Sequence, residues 1–203
     1  MLDAALRQVI DPPLNAAGRR IAALGVPANA ITLGGFALGL AAVPLLAFDY
    51  YLAALALILL NRFGDGLDGA VARQTRLTDF GGYLDIVCDF IFYAGVVFGF
   101  ALADAGNAVA AAFLVFSFMG TGATFLAHAI LAERHGITTD LRGHKSLYYL
   151  GGLTEGTETI LAFVLMCLLP THFTTIAVIF GLLCWLTTAA RIYAAWITFG
   201  RTR

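Results

Sequence analysis

Four aspartates, spread over 25 residues, carry the most distinctive chemistry of a chain that is otherwise 60% hydrophobic: Asp65, Asp68, Asp85 and Asp89. The first pair is spaced i,i+3 and the second i,i+4, so each pair shares one face of a helix. Burying an ionised carboxylate among apolar helices is costly unless a cation neutralises it. Two such faces opposed across a helix hairpin would supply four hard oxygen ligands with a formal charge of −4. Two Mg²⁺ or Mn²⁺ ions balance that charge, and such ions usually hold phosphate oxygens as well.

The composition is that of a membrane protein. The mean hydropathy is +0.85 and only 12% of the 203 residues are charged. Six apolar runs are each about long enough to cross a bilayer as a helix. They predict an all-α integral membrane protein with six transmembrane helices and a single domain, 1–203, without repeats or linkers. The runs are 30–48, 51–72, 81–103, 107–132, 147–169 and 173–198.

Residues 1–28 do not resemble a cleavable signal, because they contain Asp3, Asp11 and the pair Pro12–Pro13 and lack a long apolar core. We expect a short amphipathic helix lying along the membrane surface, with Leu6 towards lipid and Arg7 towards water.

The basic residues predict the orientation. All 12 fall before the first run, around the second loop, around the fourth loop or near the end of the chain. The remaining connections contain no Lys or Arg. By the positive-inside rule, both termini and the aspartate hairpin face the cytoplasm. The residues are Arg7, Arg19, Arg20, Arg62, Arg73, Arg76, Arg134, Arg142, Lys145, Arg191, Arg201 and Arg203.

The aspartates belong to a longer pattern that resembles the signature of the CDP-alcohol phosphotransferases, also called CDP-alcohol phosphatidyltransferases. The match is specific over 65–89. The loop between Arg73 and Gly81 has seven residues where the family usually has eight. The matching residues are Asp65, Asp68, Gly69, Ala72, Arg73, Gly81, Asp85 and Asp89.

The resemblance implies an enzyme of phospholipid biosynthesis. A hydroxyl of an acceptor alcohol would attack a phosphorus of a CDP-linked donor, and CMP would leave. The four aspartates would hold two Mg²⁺ or Mn²⁺ ions, and Asp89 would also be the general base. Family analogy favours CDP-diacylglycerol as donor, a small alcohol as acceptor, a homodimer, and a bacterial inner membrane with a cytoplasmic active site.

Small residues lie one turn from the acids and predict the nucleotide face. Gly69, Ala72 and Gly81 would let a base and a diphosphate approach the backbone, and the fork of Arg73 would hold diphosphate oxygens. Tight helix packing by small residues and a snorkelling Arg73 are the alternatives.

The segment that opens the first apolar run also resembles the family's nucleotide-site segment, through Asn29 and Thr32, although Ala28 stands where the family usually has Pro. The alternative for Asn29 is a helix cap.

Polar residues in and before the fifth run, together with Arg191 of the sixth, predict the acceptor pocket. Lys145 and Arg191 would bind an acceptor phosphate, whereas Glu155 or Glu158 would bind hydroxyls or an ammonium group. The alternative is that these glutamates are structural and satisfied by Thr, Lys or Arg inside the bundle. We expect His128 to be a core residue.

Three other functions remain open at this point. A UbiA-like prenyltransferase also places aspartates and Mg²⁺ on membrane helices, but Gly69, Ala72 and Arg73 do not fit it. A carboxylate-lined cation transporter would need its acids at mid-membrane depth. A catalytically inactive relative would be expected to lack some of the eight signature residues.

Overall fold

The computed structural model describes residues 2–136 and 153–200, with side chains from residue 10 onward. These ranges are all-helical and contain no strand, which confirms the predicted fold class. They form seven α-helices: α1 Leu2–Ala23, α2 Ala28–Ala47, α3 Tyr51–Gln74, α4 Asp79–Ala103, α5 Ala108–Arg134, α6 Gly156–Leu168 and α7 Phe173–Phe199. Short 3₁₀ turns at Ala105–Asn107 and Pro170–His172 precede α5 and α7.

Four of these helices are long and apolar enough to cross a membrane: α2, α4, α5 and α7. Helix α3 has 24 residues, a length of about 36 Å, but contains the charged residues of the signature. Helix α6 is apolar but has only 13 residues. Within the fifth predicted run, 147–169, the described helix begins only at Gly156. Residues 147–152 of that run lie outside the described residues. The chain is a multi-pass membrane protein.

Helix α2 is central to the part of the bundle that holds the signature, because it packs along both α3 and α4. Glycines permit this close approach. A Cβ atom built on Gly64 of α3 would lie 3.3 Å from the Cα of Gly35 on α2. A Cβ built on Gly39 would lie 2.6 Å from the Phe92 ring and 2.9 Å from the amide nitrogen of Asn61. No larger residue fits at Gly39 without displacing these two side chains.

The main core is aromatic and aliphatic and joins α2, α3 and α4 to α5, α6 and α7. Phe100 stacks on Phe173 with ring centroids 4.7 Å apart, and Phe92 meets Phe163 edge to face at 6.3 Å. Many large apolar side chains on the outer faces are instead exposed, as expected for a surface that meets lipid.

Helix α1 is longer than the short surface helix predicted from the sequence, and it contains Pro12 and Pro13 within its span. It packs against α3, where Leu14 forms a small buried cluster with Leu67 and Ala70. Gly18 touches α3 closely, since a Cβ atom there would lie 2.8 Å from the Cβ of Ala70. One face of α1 therefore packs against α3 and is not available to lipid.

The signature hairpin is formed by α3, a loop of residues 75–78, and α4. Thr78 caps α4, its side-chain oxygen accepting a hydrogen bond of 3.0 Å from the backbone N–H of Gly81. The cap starts α4 so that Asp85 and Asp89 follow within its first three turns.

Candidate active site

A cleft lies where α2, α3 and α4 meet. Three of the four signature aspartates line it, although they come from two different helices. The lining residues are Thr32, Gly35, Phe36, Asn61, Arg62, Asp65, Asp68, Cys88 and Asp89.

Asp68 is the most buried of these aspartates, with 6% of its surface exposed. Its Oδ2 accepts a hydrogen bond of 2.5 Å from the hydroxyl of Thr32 on α2. A hydroxyl donor to a carboxylate stabilises the charged form and orients it. The sequence pointed to Thr32 for the nucleotide site, and the structure places it against a candidate metal ligand.

Arg62 is held at the centre of the cleft by contacts around its guanidinium. Nη2 donates a hydrogen bond of 2.6 Å to Oδ1 of Asp89, and Nη1 lies 3.7 Å from Oδ2 of Asp65. Nη1 also donates to the Tyr93 hydroxyl at 3.1 Å, and Nε donates to Oδ1 of Asn61 at 2.8 Å. The side chain is 15% exposed. It is a fixed cation that ties α3 to α4.

The residues that hold Arg62 are themselves fixed. Asn61 donates to the carbonyl oxygen of Gly35 on α2 at 2.9 Å. The rings of Phe92 and Tyr93 lie 4.7 and 5.3 Å from the guanidinium carbon, within cation–π range. The Tyr93 hydroxyl also donates to Oδ2 of Asp89 at 3.4 Å. These contacts leave the guanidinium little freedom to rotate.

Sequence reasoning treated Arg62 only as one of the positive-inside residues. The sequence nevertheless contained a signal for this role, because the polar pair Asn61 and Arg62 interrupts the apolar run 51–72. An arginine within a membrane helix normally pairs with an acid or a backbone carbonyl. The partner, Asp89, lies 27 positions away in sequence, and only the tertiary structure, in which α2 packs along both α3 and α4, reveals it.

The fourth aspartate, Asp85, lies one turn before Asp89 on α4 and is half-buried, outside the set that lines the cleft. Among the residues that the structure describes, no three His, Cys, Asp or Glu side chains converge as a ready metal cage. In this arrangement Arg62 lies against Asp65 and Asp89. The donor chemistry still fits Mg²⁺ or Mn²⁺, because clustered carboxylate oxygens are the ligands these ions prefer.

Two of the small residues predicted for the nucleotide site, Gly69 and Gly81, lie close to polar side chains. A Cβ on Gly69 would lie 3.3 Å from Nη1 of Arg73, so the glycine gives that guanidinium room. Arg73 is exposed, and its Nη2 donates to Oδ1 of Asn15 on α1 at 3.1 Å. Ala72 is half-buried one position before it.

Asn29 does not cap α2, contrary to the alternative considered from the sequence. The cap is Pro27, with extended backbone and no side-chain cap, and Asn29 lies inside the first turn. Its Oδ1 instead lies 3.2 Å from where a Cβ of Gly81 would be. The structure therefore brings Asn29 and Gly81, which are 52 positions apart in sequence, to one place.

The glutamates predicted for the acceptor pocket lie at the start of α6. Glu155 is the N-cap and Glu158 the third helical residue, and together they form a capping box in which each side chain accepts from the other's backbone N–H. The Oε2 of Glu158 accepts from the N–H of Glu155 at 3.1 Å. A Cβ on the next residue, Gly156, would lie 3.9 Å from the Tyr93 hydroxyl. The start of α6 is thus next to the aromatic ring that supports Arg62 and Asp89.

Arg191, the remaining described acceptor candidate, is buried in α7, the last described helix. Its Nη1 donates to the carbonyl oxygen of Thr121 on α5 at 3.0 Å. One turn earlier on α7, the hydroxyl of Thr187 accepts a hydrogen bond of 2.9 Å from the hydroxyl of Thr154. This bond connects the segment that precedes α6 to α7. Lys145 lies outside the described residues. His128 is buried, with its ring 5.0 Å from Phe199, as expected for a core residue.

Comparison with known proteins places this geometry in a family. The model of the CDP-alcohol phosphatidyltransferase family matches residues 26–200. The Escherichia coli (strain K12) inner membrane protein YnjF is 54% identical over 98% of this chain and 97% of its own length. The archaetidylinositol phosphate synthase of Pyrococcus horikoshii is 35% identical over 48% of this chain and 52% of its own length.

The fold also resembles solved structures. One is the Mycobacterium tuberculosis phosphatidylinositol phosphate synthase PgsA1 in complex with manganese and citrate, with a TM-score of 0.72 and 21% identity, covering 90% of this chain and 88% of that one. The same enzyme with CDP-DAG bound aligns with a TM-score of 0.70 and 21% identity, over 90% of this chain and 93% of that one. At this identity the likeness concerns the fold.

Proposed function

The chain belongs to the CDP-alcohol phosphatidyltransferase family and is therefore an enzyme, and from this premise we propose that it transfers a phosphatidyl group from CDP-diacylglycerol to the hydroxyl of a small alcohol. The observation that carries the proposal is that Asp65, Asp68 and Asp89, from two helices, line one cleft together with Arg62. Membrane helices rarely bury so many acids without a function for them.

The proposed reaction is a displacement at phosphorus. The acceptor oxygen forms a bond to the phosphorus that bears the diacylglycerol. The bond from that phosphorus to the bridging diphosphate oxygen breaks, and CMP leaves with the bond's electron pair. Asp89 takes the hydroxyl proton, and its position at the cleft agrees with that role.

Asp65, Asp68, Asp85 and Asp89 would hold the divalent ions, two Mg²⁺ or Mn²⁺ in the proposed reaction. When bound, the ions would neutralise the diphosphate and stabilise the departing CMP. The contribution of the chain is positioning. Thr32 orients Asp68, and Arg62 orients Asp89. The manganese complex of PgsA1 and the hard oxygen ligands both support this assignment.

The donor would lie on the face formed by the small residues of the signature. Gly69, Ala72 and Gly81 leave the backbone approachable, and Arg73 is exposed at the end of α3, where it would meet the diphosphate. Asn29 is proposed to contact the nucleotide, since it lies against Gly81. The CDP-DAG complex of PgsA1 supports a CDP-lipid donor.

The acceptor is proposed to enter from the side of α6, where Glu155 and Glu158 lie close to Tyr93. Arg191 and Lys145 would serve a phosphorylated acceptor. The names of the relatives, archaetidylinositol phosphate synthase and phosphatidylinositol phosphate synthase, support an acceptor of that class.

We further propose that the enzyme is a homodimer of the inner membrane, with both termini and the cleft on the cytoplasmic side. All 12 basic residues lie on that side in the predicted topology.

The test is CMP release by the purified protein in detergent or bilayer discs. The protein would be given CDP-diacylglycerol, Mg²⁺ and a panel of alcohols that contains matched free and phosphorylated polyols. CMP release that requires both an alcohol and the metal supports the proposal. No release with any CDP-linked donor, or equal release after EDTA treatment, contradicts it. Release of inorganic diphosphate from a prenyl donor would indicate a prenyltransferase instead.

A further inference from the structure

The cleft contains a cation of its own in addition to its carboxylates. Among the described residues that line it, Asp65, Asp68 and Asp89 contribute −3 and Arg62 contributes +1, so the formal charge of the described lining is −2. Counting Asp85, which lies one turn before Asp89, makes the total −3. Either total is less than the four negative charges that two divalent ions would need.

Arg62 is a permanent part of this balance. A guanidinium does not lose its proton in proteins, and this one is fixed from several directions. Its nitrogens donate to Asn61, Tyr93 and Asp89, and one of its faces lies over the Phe92 ring. The support extends to α2, because Asn61 is tied to Gly35 and the absence of a side chain at Gly39 leaves space for Phe92 and Asn61.

We propose that Arg62 is a built-in counter-ion of Asp65 and Asp89 that limits the cleft without donor to one divalent ion, so that the second ion binds only together with the donor's diphosphate. This inference rests on the proposed function, since it concerns the ions and the diphosphate of that reaction. Two ionised phosphates bring two further negative charges. With the lining they total −4, or −5 with Asp85, which is enough for two divalent ions.

The arrangement has a consequence for the reaction order. A cleft with four uncompensated carboxylates would bind two ions before substrate and would hold them whether or not a donor is present. With Arg62 in place, the complete set of ions is assembled only on a donor-loaded enzyme. Arg62 is thus a positioning residue that acts through Asp89 and through the charge of the cleft.

The test uses Mn²⁺ as the probe and isothermal titration calorimetry of the full-length protein in detergent, with and without CDP as the diphosphate. The expected stoichiometry is one Mn²⁺ per chain without CDP and two with it. In Arg62→Gln, a second Mn²⁺ should bind without CDP, because the positive charge that lies against Asp65 and Asp89 is removed.

Two control variants separate charge from geometry. Arg76→Gln removes the same charge from an exposed position in the hairpin loop, outside the cleft, and should leave stoichiometry and affinity unchanged. Arg62→Lys keeps the charge but loses the planar fork, so it should bind one Mn²⁺ without CDP, like the unchanged protein, while CMP release falls. Should Arg62→Gln fail to fold, shown by loss of its thermal unfolding transition, the stoichiometries of the unchanged protein and of Arg62→Lys decide.

Two Mn²⁺ ions on the unchanged protein without CDP, no Mn²⁺ on it under either condition, or a single Mn²⁺ on folded Arg62→Gln without CDP would each overturn the inference. These results differ from failure of the proposed function. If the protein shows the expected Mn²⁺ stoichiometries but releases no CMP from any CDP-linked donor, the counter-ion role of Arg62 is supported and the proposed reaction is contradicted.

Discussion

The guanidinium of Arg62 on α3 lies 2.6 Å from the carboxylate of Asp89 on α4, and this ion pair connects the two halves of the signature hairpin. The helices that carry the pair have few close backbone contacts with one another, because α2 packs along both. The connection therefore depends on side chains. It also means that the last aspartate of the signature has an ordered cationic partner before any metal or substrate is considered.

Each signature aspartate should be required for catalysis. We expect single changes of Asp65, Asp68, Asp85 and Asp89 to Asn to lower CMP release at least about 100-fold, the usual scale for loss of a catalytic charge or a general base. Asp79→Asn is the matched control, since Asp79 is exposed at the start of α4 and outside the cleft. It should retain nearly full activity. Full activity in Asp68→Asn would contradict the metal assignment.

Gly39 should be indispensable for packing, whereas Gly34 should not. A Cβ at Gly39 would meet Phe92 at 2.6 Å, while nothing lies within 4 Å of a Cβ at Gly34 on the same helix. Gly39→Ala should lower the free energy of unfolding by about 1–3 kcal/mol through overpacking. Gly34→Ala should leave it unchanged or raise it slightly, because alanine favours a helix. Thermal unfolding in detergent measures both, and equal unfolding temperatures would count against the close approach of α2.

Glu158 offers a way to separate helix capping from acceptor binding. Glutamine also serves at the third position of a capping box, so Glu158→Gln should preserve stability while it removes a charge beside the proposed acceptor path. We expect a higher KM for the alcohol with little change in donor affinity. Glu158→Ala should in addition lose stability, by about 1 kcal/mol. An unchanged KM in the Gln variant would leave these glutamates with a structural role only.

The orientation can be tested with reporter fusions. A reporter that works only in the cytoplasm should be active when joined after Arg203 and silent when joined at Asp104, because the connection around Asp104 contains no Lys or Arg. Immunoblots of both fusions control for expression. An active fusion at Asp104 together with a silent, well-expressed one at Arg203 would invert the topology.

The sequence by itself was sufficient for the family, through the resemblance of its signature, and for the all-α membrane fold. The fold class follows from local properties, because periodicity shows which residues share a helix face and the length of an apolar run shows whether it can span. The ends of α2, α3, α4, α5 and α7 fall within a few residues of the predicted apolar runs for the same reason. The resemblance also pointed to Thr32, which lines the cleft, and to Asn29, which lies against Gly81.

The tertiary structure decided which of these faces meet. It pairs Arg62 with Asp89, places Thr32 on Asp68, moves Asn29 from a helix cap to Gly81, and turns Glu155 and Glu158 into the cap of a short helix. None of these contacts can be read from periodicity, because each depends on the packing of residues distant in sequence or on where a helix begins. A guanidinium in an apolar run is expected to pair with an acid or a carbonyl group. Which of the four nearby aspartates it contacts depends on how α2, α3 and α4 pack, and glycines allow that close packing.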